Sequence, residues 1–235
     1  MTQSEIKAKT TRAVLFDFSG TLFRLEEDDS WFTDILVDEK VVDEHVRAEL
    51  MYRLTAPTGR PVEMSDEQYR SWANRDLQPH LHREAYLHVM RESGLTDDHA
   101  EQLYARTVDP SYWVPYPDTA EVLQRLRRTG IAVGVVSNIA WDIRPTFRSL
   151  GVEDLVTEFV LSFEVGAVKP TPEIFNTALS RLGVDAADVL MVGDSEEADG
   201  GALAVGCRFA LVDPLPTTER PHGLLEAVTG AGVEV

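Results

Sequence analysis

A single cysteine, Cys207, stands in a chain of 235 residues, so no internal disulfide can form. That usage suits a reducing compartment, and a cytoplasmic location is expected. Basic residues are also scarce: 22 Lys and Arg face 40 Asp and Glu, for a formal net charge of −18. Such a balance argues against nucleic acid or an anionic membrane as partner, because both need basic patches that displace counterions. The excess of acid reads as solubility. No apolar run reaches the ~18 residues of a membrane-spanning helix. The polar start, Met1 to Thr11, lacks the apolar centre of a signal peptide and reads as a loose tail. Internal repeats and low-complexity segments are missing as well. What is there is ordinary globular usage, with 15 Gly and 12 Pro spread along the chain instead of clustered. The length accommodates one α/β core with a smaller inserted domain.

Short runs rich in Val and Leu recur between helical stretches: Ala13 to Phe18, Ile131 to Val136, Phe159 to Leu161, Val189 to Val192 and Phe209 to Val212. Cys207 reads as the approach to the last of these. Near-continuous apolarity suits strands buried on both faces of a parallel sheet. Intervening helices have legible ends. Asp118 with Glu121 has the spacing of a capping box, and Gly130 closes that helix. Thr171-Pro172 supplies an N-cap and first-turn proline, with Gly183 at the far end. The repeated strand-helix order predicts an α/β fold, a Rossmann-like doubly wound parallel sheet with its site at the C-terminal strand ends.

Between the first strand and Asp118, about ninety residues pass without a comparable strand signal. Val42, Val46, Leu50 and Leu54 repeat at four-residue spacing, Ser65 can cap a helix carrying Tyr69 and Trp72, and Leu81, Ala85 and Val89 form another stripe. The segment Arg24 to Tyr116 therefore reads as a helical cap domain (24–116) inserted into a core made of 1–23 and 117–235.

Four polar elements fall at predicted strand ends or helix starts. The first strand runs into Asp17-Phe18-Ser19-Gly20-Thr21; Ser137-Asn138 follows the second strand; Lys169-Pro170 precedes a helix; and Gly193-Asp194-Ser195-Glu196-Glu197-Ala198-Asp199 follows Val192. All can converge on one crevice. A carboxylate can attack phosphorus, but two anions repel, so positive charge must neutralise the approach. Mg²⁺ prefers oxygen ligands and takes one or two carboxylates with water and substrate phosphate, which suits Asp17, Asp194 and, indirectly, Asp199. Lys169 would balance the remaining charge, and the Ser137 hydroxyl would hydrogen-bond phosphate oxygens.

The ordered set Asp-x-x-Gly-Thr, Ser-Asn, Lys-Pro and Gly-Asp-Ser-x-x-x-Asp resembles that of the haloacid dehalogenase-like hydrolases, over Ala13 to Val212. The resemblance implies Asp17 as nucleophile, Ser137 on phosphate and Lys169 on nucleophile and phosphate. It also implies Mg²⁺ on Asp17, Asp194 and the Ser19 carbonyl, with Asp199 in support. Gly20, Thr21 and Asn138 join Ser137 and Lys169 in the implied substrate-binding set, and the implied substrate is a small phosphorylated metabolite. One position departs from the pattern. Where phosphatases of the family carry a second Asp, which protonates the leaving oxygen, this chain has Ser19. Losing such a group costs ~10²–10⁴-fold.

The departure leaves several readings open. The substrate's leaving group needs little protonation, or an acid comes from the cap, or the chain is a metal-independent 2-haloacid dehalogenase, or it binds a phosphate ligand without turnover. A phosphonatase-like reading would need a reactive cap lysine, and Lys40, beside Asp38 and Glu39, reads as solvated. His80, His82 and His88 are candidate replacement acids, with His80 and His82 in the polar break Asn74 to Arg83. Arg60, Arg75 and Arg83 are candidate anion clamps. Trp31, Trp72 and Trp113 read as packing, and Trp141 as a neighbour of the phosphate site.

Overall fold

The computed structural model describes residues 11–26, 31–37, 40–55 and 59–235; the expected tail up to residue 10 lies outside them. The first strand, β1 (Ala13–Phe16), is two residues shorter than the apolar run that announces it. After β2 (Phe23–Leu25) come the hairpin strands β3 (Leu36–Val37) and β4 (Lys40–Val41). Four helices follow: α1 (Glu44–Thr55), α2 (Asp66–Ala73), α3 (Pro79–Glu92) and α4 (Asp97–Val108). Then β5 (Trp113–Pro115) returns antiparallel to β2. Beyond it the chain alternates: α5 (Thr119–Thr129), β6 (Ala132–Ser137), α6 (Arg144–Ser149), β7 (Glu158–Leu161), α7 (Ser162–Val165), α8 (Pro172–Leu182), β8 (Val189–Gly193), β9 (Arg208–Leu211) and α9 (Gly223–Gly230).

Five strands form one sheet in the order β7-β6-β1-β8-β9, every pair parallel. The chain lays β6 and β7 on one side of β1, then crosses to lay β8 and β9 on the other. The strand order therefore reverses beside β1, the place where such sheets open a crevice. This is the expected Rossmann-like doubly wound α/β fold. Alternate residues of β1 feed opposite cores: Val14 and Phe16 pack with Val135, Val192 and Leu224, and Ala13 and Leu15 pack with Met191 and with Ile174 and Phe175 of α8. Burial on both faces is why these strands read as unbroken apolar runs.

The segment between β2 and β5 departs from the purely helical expectation, because it carries the β3–β4 hairpin and is rooted in the β2–β5 ribbon. Pairs of two or three residues are too short to leave a period in the sequence. Its helices follow the expected stripes. Leu50 and Leu54 of α1 are buried, as are Ala85 and Val89 of α3, and Ser65 and Gln68 form a reciprocal capping box on α2. Among the described residues no helix is long and apolar enough to cross a membrane.

The capping box expected at Asp118 and Glu121 does not form. Asp118 sits at the N-cap of α5, but its carboxylate accepts hydrogen bonds from the Leu224 and Leu225 amides, each at 2.9 Å, and so caps α9 instead. Glu121 pairs with Arg125. The unpaired amides at the start of α9 lie against the buried Asp118, and they outcompete its own helix. Asp118→Ala is accordingly expected to lower the unfolding free energy by about 1–3 kcal/mol. Denaturant unfolding measures it, and an unchanged midpoint would contradict this placement.

Candidate active site

The site is assembled where β6, β1 and β8 end. The Asp17 amide donates to Val192 O at 3.0 Å, carrying the ladder one residue past β1 before the chain turns. Gly20 makes the turn at a φ of +76°, and a Cβ there would strike the Asp194 carboxylate. A Cβ on Gly193 would overlap the Asp199 side chain. Both glycines thus leave room for carboxylates to approach one another. Single oxygens of Asp17, Asp194 and Asp199 all lie within 4.8 Å of one another.

Lys169 reaches this cluster from the loop before α8. Its ammonium, 3% exposed, donates to Asp17 Oδ1 at 2.5 Å and Asp199 Oδ1 at 2.6 Å. Burial alone would push the lysine down, but the two carboxylates outweigh it and hold it above its ordinary value. Burial raises Asp17 to about 7, with Lys169 opposing and Asp199 and Asp194 adding to the rise. Asp194 rises to about 6 through burial and the charge of Asp199. Asp199 is buried and fully engaged, its second oxygen accepting from the Ser195 amide at 3.0 Å. It therefore anchors Lys169 instead of capping the 3-10 run Asp199–Val205 that it begins.

These groups open into a cavity of about 360 Å³ lined also by Ser19, Ser137, Asn138 and Trp141, with Arg75, His82 and Tyr86 facing from the helical segment. Gly20 and Thr21, expected on the substrate, do not line it. They turn behind Asp17, where Arg220 takes both of their carbonyls as hydrogen-bond acceptors. Asn138 lines the cavity, but its amide is committed: it accepts from Lys169 N at 2.7 Å and donates to Lys169 O at 2.9 Å. It positions the lysine.

Of the candidate acids and anion clamps, Arg75 and His82 line the cavity, and so do Trp113 and Trp141 among the tryptophans. Arg60 stacks on Tyr69, and Arg83 pairs with Glu101 on the surface. His80 and Lys40 are exposed, and His88 contacts Gln68 and the Glu63 carbonyl. His82 is buried, stacked on Tyr86 and 3.1 Å from the Tyr104 hydroxyl. Burial and then Arg75 push it down to about 3, so it is neutral at physiological pH. Trp31, Trp72 and Trp113 are buried.

Residues 11–206 match the family model of the haloacid dehalogenase-like hydrolases. The chain belongs to that family. Ribulose-1,5-bisphosphate 5-phosphatase of Halopiger xanaduensis is 31% identical to this hydrolase over 155 residues, 62% of this chain and 65% of that protein. The aligned stretch thus spans just under two thirds of that relative. Phosphoglycolate phosphatase of Yersinia pestis is 26% identical over 203 residues, 86% of this chain and 81% of that one. Among solved structures, the magnesium-bound HAD-hydrolase YfnB of Bacillus subtilis superposes with a TM-score of 0.63 at 18% identity, covering 92% of this chain and 100% of that one. That likeness is one of fold.

Two residues of this haloacid dehalogenase-like site were not found from sequence. Arg220, 5% exposed, supports the turn after Asp17 from a loop two hundred residues away, and no local pattern announces it. Asp76 lines the cavity from a 3-10 turn between α2 and α3. It lies in the polar break Asn74 to Arg83, beside His80 and His82.

Proposed function

We propose that this hydrolase is a Mg²⁺-dependent phosphatase of a small phosphorylated metabolite, with Asp17 as nucleophile. The observation that carries the reading is the buried Asp17–Lys169–Asp199 array with Asp194 beside it, at the strand ends and open to a cavity. The names of both relatives above, each a phosphatase, support it. The crowded carboxylates offer oxygen donors only, which suits a hard divalent cation. Asp17, Asp194 and the Ser19 carbonyl would hold it, with Asp199 supporting through Lys169. When bound, the ion neutralises charge between nucleophile and phosphate.

The rest of the chemistry belongs to the chain. Asp17 Oδ attacks phosphorus, Lys169 holds the nucleophile's charge in place, and the Ser137 hydroxyl donates to a phosphate oxygen. Asn138 keeps Lys169 aimed by gripping its backbone. The helical segment 24–116 acts as a cap domain that shuts out water until substrate is seated. The buried, single cysteine suits a cytoplasmic enzyme.

The test is phosphate release from a panel of phosphomonoesters, acyl phosphates and an aryl phosphate, with Mg²⁺ or chelator. Turnover is expected with Mg²⁺, falling ~10²-fold or more in chelator and returning when the ion is restored. No phosphate from any member, or halide release from haloacids in chelator, would overturn the reading.

A further inference from the structure

Ser19 leaves the site without the usual donor for the departing oxygen, and the structure offers another. Asp76 stands on the 3-10 turn Arg75–Leu77, which packs against α7 at the end of β7. Its backbone carbonyl accepts from the buried Ser162 hydroxyl at 2.5 Å, and Ser162 in turn accepts from the Ile139 amide at 2.8 Å. The turn is thereby latched to the loops after β6 and β7, directly over the cavity. That cavity is lined by Asp17 and Lys169 from the sheet domain and by Arg75, Asp76, His82 and Tyr86 from the helical segment. A phosphoryl group seated on Asp17 and Lys169 would direct its leaving oxygen toward the helical side.

We infer that Asp76 is the general acid and base of the reaction, delivered by the helical segment in place of the residue missing at Ser19. The inference rests on the phosphohydrolase reading above.

Its surroundings suit the task. The Asp76 side chain is 19% exposed, its nearest cationic partner is Arg75 Nε at 3.9 Å, and among the described residues no donor hydrogen-bonds its carboxyl. Arg75 is held elsewhere, over the Trp72 ring at 4.2 Å and on Trp72 O at 2.9 Å. Burial raises Asp76 above the ordinary carboxylate range, with Arg75 and then Lys169 opposing. Its neighbours on that side are poor donors: His82 is held neutral, and burial pushes the Tyr86 phenol up. The step balances. Asp17 Oδ bonds to phosphorus, the P–O ester bond breaks, and the leaving oxygen takes its electron pair and the proton of the Asp76 carboxyl. In the second half Asp76 takes a proton from water as the water oxygen attacks phosphorus, and the aspartyl P–O bond breaks back to Asp17.

The experiment compares first-turnover release from glycerol phosphate and from p-nitrophenyl phosphate, whose leaving group needs no proton, in wild type and Asp76→Asn. Glycerol release is expected to fall ~10²–10⁴-fold, and nitrophenolate release at least ~10-fold less than that. Ser19→Asp added to Asp76→Asn is expected to restore glycerol release at least ~10-fold, which no purely structural role would do. Equal losses on both esters, no loss on either, or no rescue would overturn the inference. A wild type inert on both esters and on the wider panel would instead bring down the phosphohydrolase reading itself.

Discussion

Asp17→Asn is expected to abolish turnover, by ~10⁴-fold or more, while the protein stays folded. An amide keeps the shape and can still accept from Lys169 through its carbonyl oxygen, but it cannot act as a nucleophile toward phosphorus. Stability should change little. The site already disfavours the charge of Asp17, whose carboxyl stands raised to about 7 by burial and by the neighbouring acids. Removing one of three crowded carboxylates relieves repulsion that offsets the lost ion pair. Steady-state rates with Mg²⁺, beside a thermal melt, decide the matter. Activity within tenfold of wild type would exclude Asp17 as nucleophile.

Lys169→Met is the complementary case, with a large effect on both stability and rate. Methionine fills much of the same space without charge. The lysine is 3% exposed between Asp17 and Asp199, and among the described residues nothing else is hydrogen-bonded to its ammonium. Removing one partner from a buried ionic array leaves the others uncompensated, which costs ~3–5 kcal/mol. At 150–250 residues that lowers Tm by roughly 6–20 °C. Turnover should fall ~10³-fold or more, because the proposed nucleophile Asp17 loses the buried cation hydrogen-bonded to it. Asp199→Asn added to Lys169→Met should recover part of the lost stability, since the two residues share one interaction. A melt unchanged by Lys169→Met would mean that the array carries no such energy.

The parts legible in the sequence are those whose cause is local. A strand covered on both faces must be apolar throughout, so the runs around Val14, Val135 and Val192 announced the parallel sheet. Gly130 and Gly183 end helices at positive φ, and that requirement is visible in one residue. The candidate residues at strand ends were likewise legible because each follows its strand in a fixed order. What tertiary folding alone creates was not. Asp118 carries the spacing of a cap for its own helix, yet its partners are amides more than a hundred residues later. Asn138 announced a polar group at the site but not that Lys169's backbone would claim it. Gly20 and Thr21 marked the turn without revealing that it folds behind the nucleophile onto Arg220. Asp76 reaches the cavity only because a helical segment and Ser162 bring it there.

The most direct test of aspartyl-phosphate chemistry is to mix the enzyme with Mg²⁺ and a radiolabelled phosphate ester, quench in acid within one turnover, and map the label by peptide mass spectrometry. A phosphoryl group on the peptide carrying Asp17, released by hydroxylamine and absent from Asp17→Asn, is the predicted result. Turnover with no protein-bound phosphate, or with the label on another residue, would contradict it.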